Sequence, residues 1–150
     1  MKNTFFLFAG LLLLASCSTR SEDKDTDERN ADPLPAKACY AYLSAKDTVQ
    51  LDLVITGNTV SGNLRFNFFE KDKNTGTLTG KLNGDTLIAN YRFMSEGITS
   101  VTEVIFLRKG ESYVQGYGEK QEVNGATVFK DRKTIRFGES FVLGKVDCNH

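Results

Sequence analysis

Apolar and polar residues alternate with a period of two from Cys39 to the end of the chain. Val49, Leu51, Leu53 and Ile55 share one parity, opposite Gln50, Asp52 and Thr56. After Gly57-Asn58, the residues Val60, Leu64, Phe66 and Phe68 alternate with Ser61, Asn63, Arg65 and Asn67. The turn 71–76 leads to Leu78 and Leu82, and Asn83-Gly84-Asp85 leads to Leu87, Ala89, Tyr91 and Phe93. Further runs cover 99–109, 113–118, 127–130, 134–137 and 140–146. Alternation bounded by Gly, Asn and Asp predicts half-buried antiparallel strands. No window carries a 3.6-residue stripe, so the fold class is all-β with helix at most a minor component.

A weak repeat supports a meander. Thr59-Val60-Ser61-Gly62-Asn63-Leu64 recurs as Thr77-Leu78-Thr79-Gly80-Lys81-Leu82, each with a glycine between two apolar residues of one parity. Glycine inside a strand permits a sharp bend or a close backbone approach, and bent strands are what barrel closure requires. About eight short consecutive strands predict a small antiparallel meander β-barrel, with a two-sheet β-sandwich as the alternative. Run 99–109 is apolar on both parities, so its inward face is open at this point.

The start of the chain is different. Lys2 precedes an apolar run from Phe5 to Ala15, then Leu14-Ala15-Ser16-Cys17. The run falls well short of the roughly 20 residues that span a bilayer as a helix, and it has the layout of a secretory signal. Leu14-Ala15-Ser16-Cys17 resembles the lipobox of bacterial lipoproteins. The resemblance implies removal of residues 1–16 and lipidation of Cys17. It also implies acylation of the new amino terminus, which supplies the two signals that stable anchoring needs. Residues 17–38 then follow as a polar, charged stretch containing Pro33 and Pro35, which reads as a disordered tether. Its acidic cluster is similar to the export signal of surface lipoproteins in the Bacteroidota. The expected location is the outer membrane, on the periplasmic face or the cell surface, with the membrane as a partner through lipid.

Residues 39–150 amount to one domain. Lys plus Arg and Asp plus Glu both number 19, so there is no net field to attract nucleic acid. No basic run with interleaved aromatics is present either. With Cys17 lipidated, Cys39 and Cys148 remain. An even remainder in an exported chain predicts a disulfide, which closes a loop of about 110 residues. In a closed meander with an even strand count, the first and last strands are antiparallel neighbours. The two cysteines then meet at one end and pin the seam.

The series Gly57-x-x-Val60-x-Gly62-x-Leu64, Gly84-Asp85-Thr86-Leu87, Tyr91-x-Phe93-x-Ser95-Glu96-Gly97-x-x-Ser100 and Glu103-Val104-x-Phe106 looks like a domain of uncharacterised Bacteroidota lipoproteins. It is also similar to calycin-like small barrels of bacterial envelopes. These motifs are turns and core positions, so the resemblance implies a fold and a compartment rather than a reaction.

Candidate chemistry is sparse. The single histidine is His150, the last residue, where a triad or zinc site has nothing to orient it. No metal or other cofactor is expected. Glu70 shares the parity of Phe66 and Phe68, and Glu103 that of Val101 and Ile105. Two inward carboxylates about 5–9 Å apart could hydrolyse a glycoside. The plainer reading puts Glu70 on a solvated turn, and Glu103 beside Arg92 or on the outer face. The loop Ser95 to Ser100 completes a candidate binding rim of Glu70, Arg92, Ser95, Glu96, Ser100 and Glu103, while Gly97 suits a hairpin turn of positive φ. Tyr113 and Tyr117 are candidate protein contacts. Asp47-Thr48-Val49 and Asp85-Thr86-Leu87 match a short O-glycosylation pattern of the Bacteroidota. The expected role is non-enzymatic: an envelope protein binding a protein partner or a small apolar ligand. An accessory subunit of an outer-membrane complex and an inhibitor of a host lysozyme or protease are alternatives. An enzyme using Glu96 or Glu103 comes last.

Overall fold

The computed structural model describes residues 34–71 and 73–149. The leader, Cys17, most of the tether and His150 lie outside the described residues. Ten strands form in chain order: β1 (Ala36–Leu43), β2 (Thr48–Thr56), β3 (Thr59–Asn67), β4 (Asn74–Asn83), β5 (Thr86–Ser95), β6 (Ile98–Lys109), β7 (Ser112–Tyr117), β8 (Lys120–Val123), β9 (Ala126–Phe129) and β10 (Arg136–Val146). A 3₁₀ turn, Arg132–Thr134, precedes β10. Hydrogen bonding runs β5-β4-β3-β2-β1-β10-β7-β6 and returns from β6 to β5. This is a closed antiparallel barrel of eight strands, not a sandwich. The hairpin β8–β9 interrupts the meander between β7 and β10.

The seam closes as the cysteine spacing predicts. Cys39 of β1 stands opposite Val146 of β10, and Cys39 is bonded to Cys148 with Cα atoms 5.3 Å apart. Two boundaries differ from the sequence reading. β1 opens at Ala36, where Ala36–Ala38 pair with Leu53–Ile55 of β2, so the barrel takes up the last residues of the segment read as tether. β10 is one continuous strand where two short runs are expected. A register shift between Phe137 and Val142 breaks its alternation and makes it read as two.

Inward side chains fill the barrel. Val49, Leu51, Leu53, Val60, Leu64, Leu78, Leu87, Val104, Phe106 and Leu143 are all buried in one core. At the disulfide end Tyr40 meets Tyr113 edge to face at 4.8 Å. At the other end Phe66, Phe68, Tyr91, Phe93 and Phe141 pack on one another, with centroids 4.8 to 6.3 Å apart. The inward glycines explain how the strands coil tightly enough to close. A Cβ on Gly62 would strike the carbonyl oxygen of Asp52 on β2, and one on Gly80 would strike that of Ile88 on β5. At both places the neighbouring backbone occupies the space of a side chain.

Candidate functional site

The residues proposed as one rim are split by the fold. Glu70 and Glu96 sit on turns at the mouth opposite the disulfide, each with positive φ (55° and 51°). Ser95 and Ser100 lie beside them at the facing ends of β5 and β6. Glu96-Gly97 forms a two-residue hairpin with both residues in the left-handed region, Gly97 at 79°. Arg92 instead lies along β5, opposite Thr77 and Val101, with an exposed side chain. Glu103 does not face the mouth at all. It belongs to the outer wall of β6, because the next residue, Val104, and Phe106 two positions further on are the inward ones. The rim is therefore corrected to Glu70, Ser95, Glu96 and Ser100.

Glu103 is the one buried charged residue among the described residues, at 3 % exposure. Burial on an outer wall requires a cover, and the segment 118–135 supplies it. Thr102 and Thr127 pair as a parallel bridge between β6 and β9. Glu103 Oε1 accepts from Arg132 Nε at 2.6 Å, and its Oε2 accepts from the backbone N–H of Phe129 at 3.3 Å. Lys120 Nζ donates to Thr102 Oγ1 at 2.8 Å and to the Glu103 carbonyl at 2.9 Å. Although Lys120 is an exposed residue, its ammonium lies 4.8 Å from the centre of the Phe129 ring. Desolvation there lowers its pKa, with the Glu103 charge opposing the shift. Ile105 and Phe129 are buried outside the barrel core. Ile135 and Phe137 lie over Gly116, where a Cβ would displace them. The second apolar parity of β6 is thus explained: one face fills the barrel and the other carries the insert.

The sequence reading expects Glu103 beside Arg92 or on the outer face. It is on the outer face, and its partner is Arg132. Neither Arg132 nor Lys120 is signalled by periodicity, since every residue of β8 is exposed and the strand shows no alternation. The available signal is Asn124-Gly125, a two-residue hairpin pair with φ of 52° and 77°.

The tyrosines separate likewise. Tyr113 is not a surface contact: it is buried among core residues, and that burial raises its pKa. Tyr117 is exposed at the mouth. Burial of its ring raises its pKa, partly offset by a hydrogen bond with Ser140. Thr48 and Thr86 open β2 and β5 at opposite ends of the barrel, both half-buried.

Large exposed apolar residues mark one end. Beyond Leu34, Val123 and Val142, they are Leu43, Phe69, Met94, Ile98 and Tyr117, all flanking the mouth opposite the disulfide. Phe69 is held in place: its N–H donates to Asp47 Oδ1 at 2.8 Å, and Lys46 Nζ stands 4.2 Å over its ring. The turns at the disulfide end, Gly57-Asn58, Gly84-Asp85 and Gly110-Glu111, are polar.

Among the described residues no group of His, Cys, Asp and Glu is arranged to hold a metal ion. The groove that Glu103 lines on the outer wall is lined by neither Glu70 nor Glu96. The chain matches no protein-family model, no curated protein and no solved structure.

Proposed function

We propose that this is a lipid-anchored envelope protein whose barrel binds another protein through the mouth opposite the disulfide. The observation that carries the reading is the asymmetry between the two ends. The chain enters the barrel at Ala36, at the end where Cys39 and Cys148 are joined. The other mouth is the end away from the point where the chain joins the barrel. That mouth is where Leu43, Phe69, Met94, Ile98 and Tyr117 are exposed. Clustered apolar residues with a polar border favour protein contact, and Glu70, Ser95, Glu96 and Ser100 supply such a border.

The small-ligand version is less well supported, because the inward aromatics Phe66, Phe68, Tyr91, Phe93 and Phe141 pack against one another, stacked, tilted and edge to face, behind the mouth. A non-enzymatic role fits the position of Glu103, whose carboxylate is engaged by Arg132 and Phe129. Membership of a Bacteroidota lipoprotein family, and the choice between a subunit of an outer-membrane complex and an inhibitor of a host enzyme, belong to the same proposal. Two measurements test it. Intact-mass analysis of the chain purified from membranes is expected to show residue 17 at the amino terminus with a diacylglyceryl group. The double substitution Phe69→Ser and Ile98→Ser is expected to abolish partner capture while leaving thermal unfolding within a few degrees. An unacylated terminus would refute the anchor, and undiminished capture would refute the mouth.

A further inference from the structure

On the outer wall, on the half of the barrel nearer the disulfide, lies an open groove of about 220 Å³. Gly80 lies in its floor, where a Cβ would strike the Ile88 carbonyl oxygen and Ala89 on the neighbouring strand. Thr79, Asn90 and Glu103 stand in one row across β4, β5 and β6. Lys81 and Ile88 form the next row, and Asn83 and Arg132 complete the lining.

The chemistry of this lining is one-sided. Its only carboxylate is Glu103, which is buried and already accepts from Arg132 and from Phe129 N–H. The bond from Arg132 uses Nε, which leaves Nη1 and Nη2 as donors, and the guanidinium side chain is 59 % exposed. A carboxylate that grips Nε fixes the plane of the fork before any ligand arrives. Lys81 adds an unneutralised cation to the lining, while Asn83, Asn90 and Thr79 add neutral donors. In a chain of zero net charge, this is a local excess of positive charge and of hydrogen-bond donors.

We infer that the groove between β4, β5 and Arg132 binds a phosphate-type oxyanion, with Arg132 as the bidentate anchor and Lys81 as the second charge. Arginine held in a fixed plane matches the paired oxygens of phosphate. The lining offers more donors (the fork, Lys81 and the asparagine amides) than the two oxygens of a carboxylate use, which suits the several oxygens of a tetrahedral anion. The same chemistry arises from free phosphate or from a phospholipid headgroup. The inference does not rest on the lipid anchor or on the distal mouth.

The test is an NMR titration of the full chain with inorganic phosphate at constant ionic strength, with chloride as the control. It follows the Arg132 Nε–H signal and the side-chain amides of Asn83 and Asn90. Saturable shifts confined to these groups are expected. Arg132→Lys weakens binding by roughly 10-fold, since lysine keeps the charge but not the fork. Lys81→Gln, which leaves the Glu103 contacts intact, weakens it several-fold, and Lys145→Gln, beside Glu111 elsewhere on the barrel, changes nothing. Tighter binding of glycerol phosphate than of inorganic phosphate assigns the site to a headgroup; equal or weaker binding assigns it to the free anion. Shifts reproduced by chloride, or unaffected by both Arg132→Lys and Lys81→Gln, overturn the inference.

Discussion

Glu103 and Arg132, twenty-nine positions apart in the chain, are joined at 2.6 Å on the outside of the barrel. This contact latches the segment 118–135 to the wall of β6. Glu103→Ala leaves the Phe129 N–H without its acceptor in a buried place and removes the fixed point for Arg132. An orphaned buried donor costs about 1–3 kcal/mol, and a loss of that size in denaturant-induced unfolding is the expected result. Arg132→Ala leaves a buried carboxylate with one backbone donor and is expected to cost a similar amount. The double variant is expected to cost less than the sum, because each change removes the same pair. Additive losses would show that the two residues act independently.

The disulfide gives a second prediction. Cys39 and Cys148 close a loop of sequence separation 109. Restricting the unfolded chain over such a length stabilises by up to about 4–5 kcal/mol in the chain-entropy model, with about 2–4 the usual range. Cys148→Ser is expected to fall in the lower range, measured by urea unfolding against the oxidised parent. Reduction of the parent is expected to reproduce the effect.

Tyr91 carries a hydroxyl that is buried without a hydrogen-bond partner in the structure, and burial pushes its pKa to about 12. The folded chain therefore holds this proton above pH 10, where an unfolded tyrosine releases it. The unfolded state then binds fewer protons, so stability is full below about pH 10 and falls as pH rises from there through about 12. Tyr91→Phe is expected to flatten that limb without abolishing it, since burial also raises Tyr113. At pH 7 the same variant is expected to be stabilising by up to about 1 kcal/mol, because an unpaired buried hydroxyl is lost. Unfolding curves at pH 7 and across pH 9–12 measure both effects.

Gly80 is the fourth case. A Cβ there meets the Ile88 carbonyl oxygen and Ala89 at distances that side chains do not tolerate. Gly80→Ala is expected to destabilise by at least about 1–3 kcal/mol, the usual cost of forced overpacking. Gly84 adopts positive φ at an open turn with nothing near a Cβ. Gly84→Asn is therefore expected to cost much less, since asparagine tolerates that region.

These cases show what the residue pattern carries. Alternation along residues 49–55, 60–68 and 87–93 specifies strands because each buries one face, and Gly62 and Gly80 mark where they must bend. Cys39 and Cys148 meet because an even meander brings first and last strands together. The insert is illegible for the same physical reason: β8 buries neither face, so it has no period to read. Tyr113 reads as a contact because tyrosine suits both surfaces and cores, and strand parity alone does not say which side is inward. Glu103 to Arg132 is a contact between a barrel strand and a covering turn, and no local spacing encodes it.

The end-to-end asymmetry of the barrel is tested most directly by photo-crosslinking in intact cells from single positions at the two ends. A photoreactive residue at Ile98, on the mouth opposite the disulfide, is expected to yield a discrete crosslinked protein, and the same residue at Gly110, on the disulfide-end turn, is expected to yield none. Equal crosslinking from both positions, or crosslinking from Gly110 alone, would contradict the account.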